Sequence, residues 1–89
     1  MKAIITVVGN DKVGIIAKVS DILAKNNINI LDISQTIMQN MFTMIMLVDV
    51  SASDVNFNEI STILDNLGDE LGLSIKIQHE NIFNSMHRI

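Results

Sequence analysis

Residues 28–50 read INILDISQTIMQNMFTMIMLVDV, and this stretch decides the fold of the chain. Its first part, up to Met38, alternates between apolar and polar residues in the way that a half-buried β-strand does. The parity of the apolar residues changes after Ile30, which predicts a β-bulge or a bend there. Gln39 and Asn40 separate this strand from a second alternating run, and Asn tolerates the left-handed backbone of a tight hairpin. The stretch therefore predicts two consecutive antiparallel strands with no helix between them.

A strand and an amphipathic helix are predicted before this hairpin. Residues 2–8 are rich in β-branched side chains and stop at Gly9, which is typical of a strand that is apolar on both faces. Asp11 is a possible N-cap of the helix that follows, and Asn26 and Asn27 end it. The apolar residues of this helix recur at helical spacing: Ile15, Ile16, Val19, Ile22 and Leu23.

A second helix and a last strand follow the hairpin. Asn56 and Glu59 resemble a capping box with Asn in place of Ser or Thr, and Gly72 is the expected C-cap. Residues 73–81 alternate as a strand, and residues 82–89 form a short amphipathic tail. The resulting order, β-α-β-β-α-β, predicts a ferredoxin-like α+β fold, which is a four-stranded antiparallel sheet with both helices on one face.

The sheet face that the helices leave uncovered is predicted to be unusually apolar. Both faces of the first and third strands carry apolar side chains. Ile4 and Val8 oppose Ala3, Ile5 and Val7 in the first strand, and Met41, Ile45 and Leu47 oppose Phe42, Met44, Met46, Val48 and Val50 in the third. An exposed apolar face on a small domain usually marks an interface, and covering it would stabilise a chain whose own core is small. We therefore expect a homodimer, paired either face to face or edge to edge. The alternative is that the tail folds back over this face.

Composition and charge exclude several classes of function. Ten acidic residues against six basic ones give a net charge of −4, so the surface on average repels nucleic acid and anionic membranes. Three Phe without Trp or Tyr provide no platform for stacking single-stranded bases. The chain has no Cys, which removes thiol chemistry and fits a reducing compartment, so we expect a cytoplasmic protein. The apolar run after Lys2 is too short for a signal peptide or a membrane span.

The sequence contains no recognisable catalytic or metal-binding constellation. His79 and His87 are its two histidines, and neither Cys nor a carboxylate at ligand spacing joins them. His79 shares the parity of the apolar residues in the last strand, so we expect a structural role for it. No Ser stands in a nucleophile motif. We therefore expect neither an enzyme nor a bound cofactor.

The loop between the first strand and the first helix has the chemistry of a binding site. The start of a helix offers unpaired N–H groups and a positive dipole end to an anion, and Gly14 allows close approach because it lacks a Cβ. Asp11 can bind an ammonium group while the amides bind a carboxylate, a combination that suits an amino acid. The alternative is an ordinary capped turn, in which Asp11 caps the helix and Gly14 relieves crowding. Asn29 lies in the second strand, and we expect the strand order to bring it close to this loop, where it holds a ligand across an interface. The alternative is that Asn29 is solvated or shapes the bend.

From Ile4 to about Ile77 the chain resembles an ACT domain. The resemblance rests first on residues 6–16, TVVGNDKVGII, which are similar to the family's strand followed by Asp-x-x-Gly and an aliphatic pair. It rests also on residues 27–30, NINI, which resemble the opening of the family's second strand. The ending IFNSMHRI is similar to that of a bacterial and archaeal group of stand-alone ACT proteins whose function is not assigned.

The resemblance implies a regulatory module that binds amino acids or other small ligands between paired domains. The family's ligand positions map onto Asp11, Val13, Gly14, Ile15 and Asn29, and the neighbouring Asn10 completes the candidate set. Our first hypothesis is a homodimeric sensor that passes its ligand state to a partner protein. The alternative is a structural protein–protein interaction module without a small-molecule ligand. In both cases residues 1–89 form one domain, and the tail of residues 82–89 packs at the dimer interface.

Overall fold

The computed structural model describes residues 1–10 and 12–81. Its elements are β1 (Lys2–Asn10), α1 (Ile15–Lys25), β2 (Asn29–Met38), β3 (Met41–Asp49), α2 (Phe57–Leu71) and β4 (Leu73–His79). The strands lie in the order β2-β3-β1-β4, and all neighbouring strands are antiparallel. The ferredoxin-like βαββαβ fold predicted from the sequence is confirmed. The interpretations of Asp11 as a ligand contact and of residues 82–89 as an interface tail lie outside the described residues.

The hairpin between β2 and β3 contains the turn that the sequence predicts. Gln39 and Asn40 have φ angles of 52° and 68°, the left-handed pair that a two-residue hairpin requires. Two strand ends differ slightly from the predictions. β1 continues through Gly9 to Asn10 because both residues pair with β3, and β4 ends at His79.

The predicted bulge is present in β2. The register between β2 and β3 shifts between Ile30 and Asp32, so that Leu31 is the additional residue. Beyond the shift, Ile33 pairs with the core residue Met46. The bulge thus keeps Ile30 and Ile33 on the same, helix-covered face despite their odd spacing.

The start of α1 differs from the prediction. The helix begins at Ile15, and its N-cap is Gly14, which has a left-handed conformation (φ 89°, ψ 5°) and makes no side-chain capping hydrogen bond. The prediction that Asp11 is the N-cap is therefore wrong. A glycine with positive φ brings the chain into the helix in place of a capping side chain.

The caps of α2 are those expected. The Asn56 side chain accepts a hydrogen bond from the Glu59 main-chain N–H at 2.8 Å and donates one to Glu59 Oε1 at 2.9 Å. Gly72 is the C-cap, with φ 70°, and its N–H donates to the main-chain oxygen of Gly68. Both ends of α2 are thus determined by local sequence signals.

The core lies between the two helices and one face of the sheet. Its strand residues include Ala3, Ile5, Val7, Met44, Met46, Val48 and Ile75, and its helix residues include Ile15, Val19, Leu23, Ile60 and Leu64. Neither α1 nor α2, the helices of the described ranges, is long and apolar enough to span a membrane.

The opposite face of the sheet is apolar only along its two central strands. Ile4 and Val8 of β1 lie beside Leu47 and Thr43 of β3, but the outer strands place polar residues next to them: Ser74, Lys76 and Gln78 in β4, and Asp32, Ser34 and Thr36 in β2. The apolar area is therefore narrower than the alternation of β1 and β3 predicts. The most exposed strand is β2, in which every residue from 31 to 38 is exposed.

Candidate functional site

A pocket of about 180 Å³ lies between the start of α1 and the edge strand β2. The loop and the first turn of α1 contribute one wall, and β2 and β3 contribute the other. The lining residues are Lys12, Gly14, Ile15, Ile16, Ala17, Gln35, Ile37 and Phe42. Pockets for drug-sized ligands are about 300 to 1,000 Å³, so this pocket matches a small metabolite.

Gly14 determines the shape of the loop at this pocket. Its φ of 89° is a conformation that side chains other than glycine rarely adopt, whereas an added Cβ would meet no atom within 4 Å. The backbone conformation therefore requires the glycine, and the alternative that Gly14 relieves crowding is wrong. The open space beside it leaves room for a ligand.

The first turn of α1 presents main-chain donors at the pocket. The first intrahelical bond runs from the Lys18 N–H to the Gly14 oxygen at 3.0 Å, so the N–H groups of Ile15, Ile16 and Ala17 precede the helical hydrogen-bond ladder. The first turn contains no acidic residue that would occupy them. These donors and the helix dipole favour an anionic group at this end of α1.

The other polar groups of the pocket are Lys12 and Gln35. Lys12 is the one charged residue that the described part of the chain contributes to the lining, and its Nζ donates to the main-chain oxygen of Leu71 at 2.7 Å. Gln35 lies on the β2 wall with an amide that can both donate and accept. Ile16 and Ile37 are partly exposed and add apolar surface. The arrangement suits a small molecule with a carboxylate and a short side chain.

The structure brings together only part of the predicted site. Gly14 and Ile15 line the pocket, and Ile15 is buried. Asn10 is exposed at the end of β1 opposite Met41, and Val13 is fully exposed next to the pocket, so neither lines it.

Asn29 lies at the opposite end of the sheet from this pocket. It pairs with Asp49 and lines a separate groove with Ala24, Asn27, Ile28 and Ala52. At about 3.3 Å per residue, the strand separates Asn29 from Ile37 by about 25 Å. The prediction that the strand order brings Asn29 close to the loop is therefore wrong within one chain.

Sequence reasoning missed six lining residues, namely Lys12, Ile16, Ala17, Gln35, Ile37 and Phe42. For Gln35 a usable signal exists. Once a bulge is placed after Ile30, the residues Ile33, Gln35 and Ile37 share the helix-covered face, where a polar residue is unusual. A polar residue at a position of core parity next to the helix start would have indicated the second wall of the pocket.

The remaining titratable residues form no metal-binding cluster in the described ranges. Residues 1–10 and 12–81 contain no group of three His, Asp or Glu side chains that could hold a metal ion. The His79 ring stacks on Phe57 with 4.0 Å between ring centroids and 16° between the planes. His79 thus packs against the start of α2, in agreement with the structural role predicted for it.

Comparisons with known proteins agree with this fold. The family model of the ACT domain matches residues 2–78. A UPF0237 protein of Clostridium acetobutylicum is 68% identical over 89 residues, which cover 100% of both chains. The solved structure of an ACT domain protein from Streptococcus pneumoniae is 44% identical, with 93% of each chain covered and a TM-score of 0.81. A putative glycine cleavage system transcriptional repressor is 27% identical, with a TM-score of 0.74, over 86% of this chain and 44% of that one. The chain belongs to the ACT domain family.

Proposed function

We propose that this chain is a regulatory module that binds an amino acid or a similarly small metabolite between two copies of itself. The observation that carries the proposal is the pocket at the start of α1, where main-chain donors and Lys12 face an uncovered edge strand. Membership of a family of regulatory ligand-binding modules supports it. The likeness to a putative transcriptional repressor of the glycine cleavage system supports a regulatory output.

The pocket would hold the ligand by its two charged ends. Its carboxylate would accept hydrogen bonds from the N–H groups of Ile16 and Ala17, while Asp11, next in sequence to Lys12, is the candidate partner for its ammonium group. Gln35 would supply a further hydrogen bond, and Ile37 would contact the side chain of the ligand. Such a site binds and releases a metabolite without a cofactor, a metal ion or a catalytic step.

A second copy of the chain would complete the site. β2 is an edge strand of ten residues, and the outer side of such a strand presents unpaired N–H and C=O groups that pair readily with another strand. A two-fold axis beside β2 would run the two strands antiparallel, so that the start of one lies near the end of the other. Asn29 of one copy would then approach the pocket of the second copy. Face-to-face pairing through β1 and β3 would leave this wall of the pocket uncovered.

The output of the module would be contact with a separate partner protein. We expect it to act in the cytoplasm, in keeping with a chain that has no Cys.

A thermal-shift screen against each proteinogenic amino acid and common small metabolites tests the proposal. An extrinsic dye is needed because the chain has neither Trp nor Tyr. An amino acid at 100 times its dissociation constant should stabilise the fold by about 2.7 kcal/mol, which is a shift of several degrees for a domain of this size. If a dimer forms and no amino acid or common metabolite shifts the melting temperature, the chain is an interaction module without a small-molecule ligand.

Subunit complementation tests whether the site is shared between two copies. Ala17→Glu places a negative charge in the pocket, Asn29→Ala removes the opposite contact, and each homodimer should lose binding. Refolding the two variants together should restore about a quarter of the wild-type sites, because half of the dimers then contain one intact site. Thr62→Glu and Asn58→Ala, both on the exposed side of α2, are the matched controls and should bind as wild type does. If the mixture recovers nothing, the site lies within one chain or does not involve Asn29.

A further inference from the structure

Lys12 connects the pocket with the C-terminal end of α2. It lines the pocket, and its Nζ donates at 2.7 Å to the main-chain oxygen of Leu71, the last residue of α2. The same Nζ lies 3.3 Å from the position of a Cβ built on Gly72. One side chain therefore contacts both the candidate site and the turn between α2 and β4.

The partner of the Lys12 ammonium is a neutral carbonyl. Within residues 1–10 and 12–81 Lys12 forms no ion pair, whereas Lys25 and Lys76 each pair with an aspartate at 2.9 Å. Hydrogen bonds between two charged groups are shorter and stronger than those to a neutral acceptor. A carboxylate in the pocket would therefore compete well for this ammonium.

We infer that Lys12 binds the carboxylate of the ligand and, in doing so, releases the main-chain oxygen of Leu71. The side chain is exposed and flexible, so the exchange requires rotation about its own bonds and no rearrangement of the core. Lys12 is then both the residue that selects ligands with a carboxylate and the residue that reports their binding. This inference rests on the proposed function, since it requires a carboxylate ligand in this pocket.

The exchange changes the environment of the α2–β4 turn. The last turn of α2 contains no basic residue, and the exposed Asp69 and Glu70 lie in this end of the helix. Lys12 therefore brings a positive charge to the negative end of the helix dipole. When Lys12 turns to the ligand, the last turn of α2 loses this support. β4 begins at Leu73, directly after the turn, and forms the edge of the sheet opposite β2. Occupancy of the pocket is thus communicated to the second edge of the sheet, where a partner protein can read it.

Titration of the ¹⁵N-labelled full chain with each proteinogenic amino acid tests the inference. The amide signals of Ile16 and Ala17 report the pocket, and the amide signal of Gly72 reports the turn. An amino acid that binds should move all three signals with the same dissociation constant. Its carboxamide analogue, which lacks the negative charge, should bind more weakly and leave Gly72 unmoved.

Three lysine variants separate the role of Lys12 from general effects of charge. Lys12→Met should weaken binding by about tenfold to a hundredfold and abolish the response of Gly72. Lys12→Arg keeps a cation and should retain both the affinity and the response of Gly72. A dispersed amide spectrum of the ligand-free Lys12→Met chain shows that its loss of binding is not a failure to fold. Lys18→Met removes the same charge from an exposed position of α1 outside the pocket lining and should leave the affinity unchanged.

The outcomes distinguish this inference from the proposed function. If no amino acid moves the signals of Ile16 and Ala17 in the wild-type chain, the inference is overturned together with the amino-acid form of the proposed function. If those signals move but Lys12→Met binds within about twofold of wild type, or Gly72 stays unmoved, the proposed function stands and the role of Lys12 is overturned.

Discussion

Gly9 of β1 lies directly opposite Leu73 of β4, and Leu73 fills the space that a side chain on Gly9 would need. A Cβ built on Gly9 would contact Leu73 Cδ2 and would lie 3.3 Å from Leu73 Cα and 3.4 Å from the main-chain oxygen of Gly72. The end of β1, from which the ligand loop departs, is therefore packed directly against the α2–β4 turn. Lys12, in the loop that follows β1, contacts the same turn through its hydrogen bond to the main-chain oxygen of Leu71.

Gly9→Ala should lower the free energy of unfolding by about 1 to 3 kcal/mol, because the added methyl group has backbone and a buried side chain as neighbours. Urea unfolding followed by circular dichroism measures this free energy. Gly14→Ala is the matched control: its new Cβ meets no atom within 4 Å, and only its φ of 89° is unfavourable. It should cost about 1 kcal/mol. A larger decrease in the free energy of unfolding for Gly14→Ala than for Gly9→Ala would contradict this explanation.

Ile33→Lys should convert the proposed dimer to a monomer if the two copies pair through β2, since a charge in the middle of an edge strand opposes strand pairing. Ile45→Lys is the matched variant on the open face of the sheet, because the two isoleucines are 40% and 39% exposed. Sedimentation velocity over a concentration series distinguishes them. Dissociation of Ile45→Lys with Ile33→Lys still dimeric would show that the copies pair face to face.

Low pH should decrease the free energy of unfolding because Asp49 becomes protonated. Hydrogen bonds from the Ser51 side chain and main-chain N–H, with a further contribution from the Met1 ammonium 3.4 Å away, lower the pKa of Asp49 from 3.8 to about 2. Because the folded pKa is below the unfolded value, the stabilisation is complete above pH 3.8 and is lost as the pH falls through about 2.

Asp49→Asn should therefore flatten the pH dependence of unfolding between these two values. Ser51→Ala keeps the carboxylate and should raise the pKa of Asp49 towards 3.8, which an NMR titration of its carboxyl carbon measures. If the free energy of unfolding of Asp49→Asn still falls at low pH as it does in the wild type, the pH dependence belongs to other groups.

Asn56→Ala should destabilise the chain by about 1 kcal/mol through loss of the α2 cap. Its side-chain oxygen accepts the Glu59 N–H at 2.8 Å, and alanine offers no acceptor there. Asn58→Ala, two residues further on and exposed, should change the free energy of unfolding by less than about 0.5 kcal/mol. Equal losses in the two variants would show that the cap contributes nothing beyond helix propensity.

The element order, the hairpin, the bulge and the caps of α2 could all be predicted because each has a signal within a few residues. The Gln39–Asn40 pair supplies the left-handed backbone of the turn, and Asn56 with Glu59 forms a cap across three positions. These signals depend on backbone conformation and on hydrogen bonds between near neighbours. The predicted start of α1 is wrong because Asp is a favourable N-cap residue, which makes Asp11 the cap expected from the sequence. In the structure the N-cap is Gly14, which has a positive φ.

By itself, the sequence determined which residues form strands and helices and that the chain belongs among ferredoxin-like folds. It also predicted a binding site at the loop before α1. Only the tertiary structure decided which residues meet there. Gln35 reaches the pocket because the bulge sets the register of β2, and Lys12 meets the Leu71 oxygen across 59 positions of the chain. The family resemblance places Asn29 in one ligand set with the loop, yet Asn29 lies at the other end of the sheet. Periodicity and capping act between near neighbours, whereas the distance between two strand ends depends on register and topology, which long-range packing sets.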